Sequence, residues 1–175
     1  MVNEALTKTL KGALEMEEKG YKFYKDTAKT CENNIAKKTF NFLADNELLH
    51  VESIKKFYNI MNEKAELPDL ILDKVRSKRL DDLSIFSKSI EDLRDKVKQS
   101  DDDIKACLFA MEFEKNGYHY YENMLKDAKD DNLIKLLNFL LDEEDRHYES
   151  IMKLHEYISD SQNWYMYEEG SFPQG

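Results

Sequence analysis

The residues best equipped for chemistry form a pattern that occurs twice. Glu47-Leu-Leu-His50 and Glu144-Asp-Arg-His147 each place a carboxylate and an imidazole three positions apart, on one face of a helix. Thirty residues before each of these glutamates stands another, Glu17 and Glu114. All six lie in register with the apolar positions of their helices, so they point inward. Four carboxylates and two imidazoles in a core are expensive if left bare. Two divalent cations remove that cost, because their four positive charges balance the four carboxylates. Carboxylates can chelate or bridge, and each imidazole offers one neutral nitrogen. That donor mixture suits iron or manganese, with zinc also possible. The competing reading, a salt-bridge network on helix surfaces, does not account for the inward register.

The elements that must position these residues are helices. From Leu6 through Leu10, Ala13, Glu17, Gly20, Tyr24 and Ala28, steps of three and four trace one helical face. The polar cluster Lys29 to Asn34 ends that run. A second run, about Ile35 to Met61, carries Leu43, Glu47, His50, Ile54 and Phe57 on one face. Pro68 breaks the pattern. The stretch up to about residue 100 then reads as a long connection holding a short helix, on Leu83, Phe86, Ile90, Leu93 and Val97. Asp101 to Asp103 are expected to cap a third helix running to about Asp127. A second polar turn, Lys129 to Asn132, leads into a fourth helix that ends near Ser159. Residues 1–160 form one domain in this reading. The tail, 161–175, keeps Trp164, Tyr165, Tyr167 and Phe172 and is expected to lie over a surface or a partner subunit.

The halves repeat at a fixed offset of 97 residues, 17 to 114 and 47 to 144. Ala13, Glu15, Glu17, Gly20, Tyr21 and Tyr24 recur as Ala110, Glu112, Glu114, Gly117, Tyr118 and Tyr121. Asn41 to Lys56 resembles Asn138 to Lys153 in the same way. Each half is therefore one helical hairpin, and the fold expected is an all-α four-helix bundle of two duplicated hairpins. Glu17 and Glu47 lie 15 residues either side of position 32, as Glu114 and Glu144 do about position 129. Each pair thus sits about 22 Å from its turn, and one level of the bundle receives all four glutamates.

At this point the chain resembles the ferritin-like superfamily and, within it, the rubrerythrin-type proteins, whose pattern is one glutamate from each of two helices and Glu-x-x-His from each of the others. The resemblance covers about residues 1 to 160 and implies a di-iron site on Glu17, Glu47, His50, Glu114, Glu144 and His147. A tyrosine seven residues after the first glutamate is typical of the family, and Tyr24 and Tyr121 fit; they read either as donors to the carboxylates or as ordinary core tyrosines. The resemblance implies an oxidoreductase that reduces hydrogen peroxide or dioxygen, the small oxidant being its partner. Iron storage with a ferroxidase step and a di-iron oxygenase are the alternatives. The four cysteines of the rubredoxin domain common in the family are absent here, so electrons would come from a separate protein such as a rubredoxin. Classical members also carry a further glutamate where this chain has Gly117. Gly20 and Gly117, one turn beyond a glutamate, leave room for a small oxidant or serve close helix packing.

The remaining features are exclusions. A formal net charge of −10 leaves no basic stripe for nucleic acid. No stretch reaches the roughly 18 apolar residues of a membrane span. Cys31 and Cys107 make no disulfide framework; Cys107 matches Leu10 and reads as buried, and Cys31 falls in a turn without a partner. His119 lies off the ligand face and is expected to be solvated, His155 to be structural, and Glu15, Glu18 and Glu112 to be surface charge. A cytoplasmic homodimer is the expected form.

Overall fold

The computed structural model describes residues 4–63 and 101–159. These form four helices, α1 (Glu4–Thr30), α2 (Asn34–Glu63), α3 (Asp101–Asp127) and α4 (Asp131–Ser159), with no strand among the described residues. The expected connection helix on Leu83 to Val97 and the aromatic tail from Trp164 to Phe172 lie outside the described residues.

Both hairpin turns are tighter than the polar clusters suggest, because each is closed by a capping side chain. Asn33 Oδ1 accepts from the backbone N–H of Ile35 at 2.8 Å and of Ala36 at 3.2 Å, which starts α2. Asp130 Oδ1 accepts from Leu133 N–H at 3.0 Å and starts α4 in the same way. The two caps are themselves 97 residues apart (33 to 130), so the duplication reaches into the turns. The chain turns between α1 and α2 in residues 31–33 only.

α1 packs along α2 and α3 along α4, and the hairpins meet through α2 on α4 and α1 on α3. Two apolar clusters fill the ends of the bundle. One joins Tyr24, Ala28, Phe40, Leu43, Cys107, Ile151 and Leu154. The other joins Leu10, Ala13, Phe57, Tyr121, Leu136, Leu137 and Leu140. The offset exchanges the clusters, for instance Tyr24 with Tyr121, Phe40 with Leu137 and Leu43 with Leu140. The layer between them holds the buried Glu17, Glu47, His50, Glu114, Glu144 and His147.

Asp103 departs from its expected role. It is buried, and its Oδ2 accepts the backbone N–H of Asn33 at 2.9 Å, fastening the first hairpin turn to the start of α3. Asp101 and Asp102 remain exposed in the first turn of α3, where they suit the helix dipole. The Asp103–Asn33 contact also fixes topology. α3 begins at the end of the bundle where α2 begins, so α2 and α3 run parallel.

Replacing Asp103 with alanine leaves a buried N–H of Asn33 without its acceptor. The expected loss is about 1–3 kcal/mol of folding stability, read as a lower urea midpoint at unchanged slope.

Candidate metal centre

The six residues singled out by spacing converge. Their donor atoms fall into two groups whose members all lie within 4.8 Å of one another: Glu17, His50 and Glu144, and Glu114, His147 and Glu47. The 97-residue offset turns one group into the other (17 to 114, 50 to 147, 47 to 144). Each group draws on three helices. The glutamate and histidine of one Glu-x-x-His pattern therefore serve different groups, which ties α2 to α4 at the centre of the bundle.

The distances follow that scheme. His50 Nδ1 lies 3.0 Å from Glu17 Oε2 and 3.6 Å from Glu47 Oε2. His147 Nδ1 lies 3.3 Å from Glu47 Oε1 and 3.5 Å from Glu114 Oε2. The Glu47 carboxylate thus spans the two imidazoles, whose rings lie nearly parallel at 5.1 Å between centroids. Glu47 Oε1, Glu114 Oε2 and His147 Nδ1 are buried and make no hydrogen bond. Buried oxygen and nitrogen atoms that face one another without hydrogen-bond partners form a donor set that could hold a cation.

The tyrosines are donors to the carboxylates. Tyr24 Oη donates to Glu114 and Tyr121 Oη to Glu17, so each hairpin's tyrosine holds the other hairpin's glutamate. Burial first, and then the nearby carboxylates, push both phenols well above their ordinary pKa and keep them protonated.

Of the two readings of Gly20 and Gly117, room for an oxidant or close packing, the structure favours packing, because Glu47, Glu144 and Phe113 take the space beside them. A Cβ on Gly117 would stand 2.5 Å from Glu144 Oε2, and one on Gly20 would stand 3.1 Å from Glu47 Cδ and 3.0 Å from Phe113 Cε1. Cys31 lies in the first hairpin turn as a free thiol, as expected. It packs against the apolar cluster that contains Cys107. Burial, with Asp103 adding to it, pushes the Cys31 thiol up to about 12. Cys107 is buried, His119 is exposed, and Glu15, Glu18 and Glu112 are exposed. His155 is half-buried, with Nε2 3.5 Å from Ser159 Oγ.

Two residues of this layer escaped the sequence reading. Glu143 is fully buried, and its carboxylate forms a further donor group with His50 and His147. Its counterpart across the offset, Asn46, is buried as well. Glu143 was detectable: Phe139, Glu143 and His147 follow one another at steps of four along the inward face of α4.

With no cation, protons hold the layer together. Burial and the charge of Glu47 raise Glu17 from 4.5 to about 8. Burial and the neighbouring Glu114 raise Glu144 well above the carboxylate range. Burial opposes charging of His147, but Glu114 and Glu47 outweigh it and raise the imidazole from 6.5 to about 10. Glu47 goes the other way: burial is outweighed by polar contacts from Glu17, His147 and His50, which hold it below its ordinary 4.5.

Raised groups favour the fold while protonated, and that stability is lost as pH rises through their folded values. The metal-free protein, kept so with chelator, should therefore lose thermal stability between pH 4.5 and about 10, Glu17 acting from 4.5 to about 8 and His147 from 6.5 to about 10. Glu47 acts in the opposite sense only below 4.5, outside that window. Saturating divalent metal replaces the protons and should flatten the decline; a metal-free midpoint that rises over this range would contradict the assignment.

Gly117→Ala separates folding from the site. Alanine suits a helix better than glycine by about 1 kcal/mol, which offsets the cost of shifting the buried Glu144 carboxylate, so the metal-free protein should unfold within a few degrees of the wild type. The displaced Glu144 carboxylate should weaken metal binding, measured by competition with a chelating dye.

The Rubrerythrin family profile matches residues 8–155, a span that contains all six converging residues and both tyrosines. No curated protein and no solved structure gives a match. With two symmetric Glu₂His groups at the centre of a duplicated four-helix bundle and a profile match over most of its length, the chain belongs to the rubrerythrin family.

Proposed function

We propose that this protein holds two iron ions, one in each group of donors, and reduces hydrogen peroxide or dioxygen with electrons from a separate donor protein. Glu17, His50 and Glu144 would hold one ion, and Glu114, His147 and Glu47 the other. The observation that carries the reading is the symmetry of the two groups together with the unsatisfied, buried Glu47 Oε1, Glu114 Oε2 and His147 Nδ1. Four carboxylates match the charge of two divalent ions, and the oxygen-rich donor set with one imidazole apiece suits iron, with manganese and zinc as competitors.

A bound iron pair supplies two electrons together, the number that a peroxide O–O bond needs for cleavage. The chain's own residues set the conditions for that exchange. Tyr24 and Tyr121 stay protonated and hold Glu114 and Glu17 by hydrogen bonds, which fixes one carboxylate of each group. The apolar clusters above and below the layer exclude water from its two ends. Glu17, Glu144 and the two imidazoles, which carry protons in the metal-free state, must release them as cations enter, so binding weakens as pH falls.

Protein purified without added metal should contain about two iron ions per chain, and Glu144→Ala should lose most of the iron that depends on its carboxylate. With a reductant supplied, the iron-loaded protein should consume peroxide faster than the metal-free protein. Iron content near zero with no change in Glu144→Ala removes the metal reading. Full iron content without faster peroxide loss removes the oxidoreductase reading alone.

A further inference from the structure

A small molecule bound for the buried layer has few ways in. Apolar clusters fill both ends of the bundle. Where α2 meets α4, the two imidazoles lie against each other and Phe139 stands edge-on to His50, 6.1 Å between centroids. The helices of each hairpin pack along each other, whereas α1 and α3 share the least extensive contact of the four packed pairs.

That α1–α3 seam is covered by rings. Phe109 and Phe113 stand one turn apart on α3, and Phe23 reaches them from α1, its centroid 5.0 Å from Phe109 and 6.1 Å from Phe113. Phe109 is 61% exposed, and Phe23 and Phe113 are half-buried. At the inner end, Phe113 Cε1 and Glu47 Cδ stand 3.0 and 3.1 Å from the place where Gly20 would carry a Cβ. Phe113 therefore borders solvent on one side and a carboxylate of the layer on the other.

The equivalent covering in the other half is fastened. The 97-residue offset carries Phe23 to Tyr120, Phe109 to Gly12 and Phe113 to Met16. Tyr120 Oη donates to the Thr9 carbonyl at 3.1 Å and occupies the place of a Cβ on Gly12. Phe23, Phe109 and Phe113 carry no polar atom that could anchor them, so apolar contact alone keeps their rings in place.

We propose that Phe113 is the door through which a small uncharged oxidant reaches the metal layer, closed at rest by its ring against Gly20 and opened by rotation of that ring. Being apolar, the door passes hydrogen peroxide or dioxygen more readily than ions, which would have to shed their hydration.

The inference rests on the two-iron reading of the layer. Nitric oxide, an uncharged diatomic that binds Fe(II), tests it by binding alone, without turnover. Protein loaded with Fe(II) without oxygen is mixed with nitric oxide, and the absorption change is timed. Phe113→Ala should speed binding about 10-fold, at the low end of the range that on-rates span among variants of one site. Phe113→Trp should slow it, at unchanged iron content. Damaged packing alone would move both variants in the same direction. Phe139→Ala, on the side of the imidazoles, should leave the rate near that of wild type. An unchanged rate in Phe113→Ala overturns the inference, as does no slowing in Phe113→Trp or an equal gain in Phe139→Ala. Should circular dichroism show Phe113→Ala unfolded, Phe113→Trp decides: slower binding upholds the inference and an unchanged rate overturns it. Wild type with full iron content that binds no nitric oxide overturns this inference alone, whereas iron content near zero overturns the two-metal reading with it.

Discussion

Everything in this bundle is arranged around one electrostatic problem, a layer of five glutamates, Glu143 included, and two histidines with almost no access to solvent. Removing that many ionisable groups from water is unfavourable unless each finds a counter-charge or a proton. The protein has two solutions, and they exclude each other. Protons on Glu17, Glu144 and the imidazoles neutralise the layer in one state, and cations neutralise it in the other. Occupancy of the site and stability of the fold are therefore one equilibrium, since whatever displaces the protons must also replace what they contribute.

The duplication makes the problem solvable by a short chain. A hairpin alone has an apolar stripe and half a donor set, and neither is stable until a second copy closes over it. The halves are then held by crossed contacts. Tyr24 of the first hairpin reaches Glu114 of the second, and Tyr121 returns to Glu17. Glu47 and Glu144 likewise complete the opposite hairpin's group. Docking of the hairpins and assembly of the site are thus the same event, and Asp103 on Asn33 adds a fastening outside the layer.

Much of this could be read from residue spacing. The 97-residue offset and the steps of three and four placed four helices within a few residues of their bounds and brought the six donors to one level. Three things were hidden, each for a physical reason. Which glutamate joins which histidine depends on the rotation of α2 against α4, and spacing along one helix carries no information about the next. Asp103 sits where a helix start invites an acidic residue anyway, so its tether to Asn33 had no distinct signal. Glu143 was passed over because attention to recurring positions discards the one that does not recur, although its step of four to His147 marked it as inward. Helical phase and repetition are separate signals, and here they disagreed at the residue that breaks the symmetry.

The two glycines show how far the helices yield to the centre. Gly20 and Gly117 lie in the middle of α1 and α3, where each costs about 1 kcal/mol against alanine. Close packing of helix backbones would be served as well by alanine wherever a Cβ had space. At Gly117 it has none, because the atoms in the way are the Glu144 carboxylate itself. The same holds more loosely at Gly20, where Glu47 and Phe113 stand near. Each glycine thus sits opposite the glutamate that crosses to the other group, and the volume it vacates is what lets that carboxylate reach across. Helix stability is lower at these two points than the sequence could have made it, and the crossed donor set is what occupies the space so released.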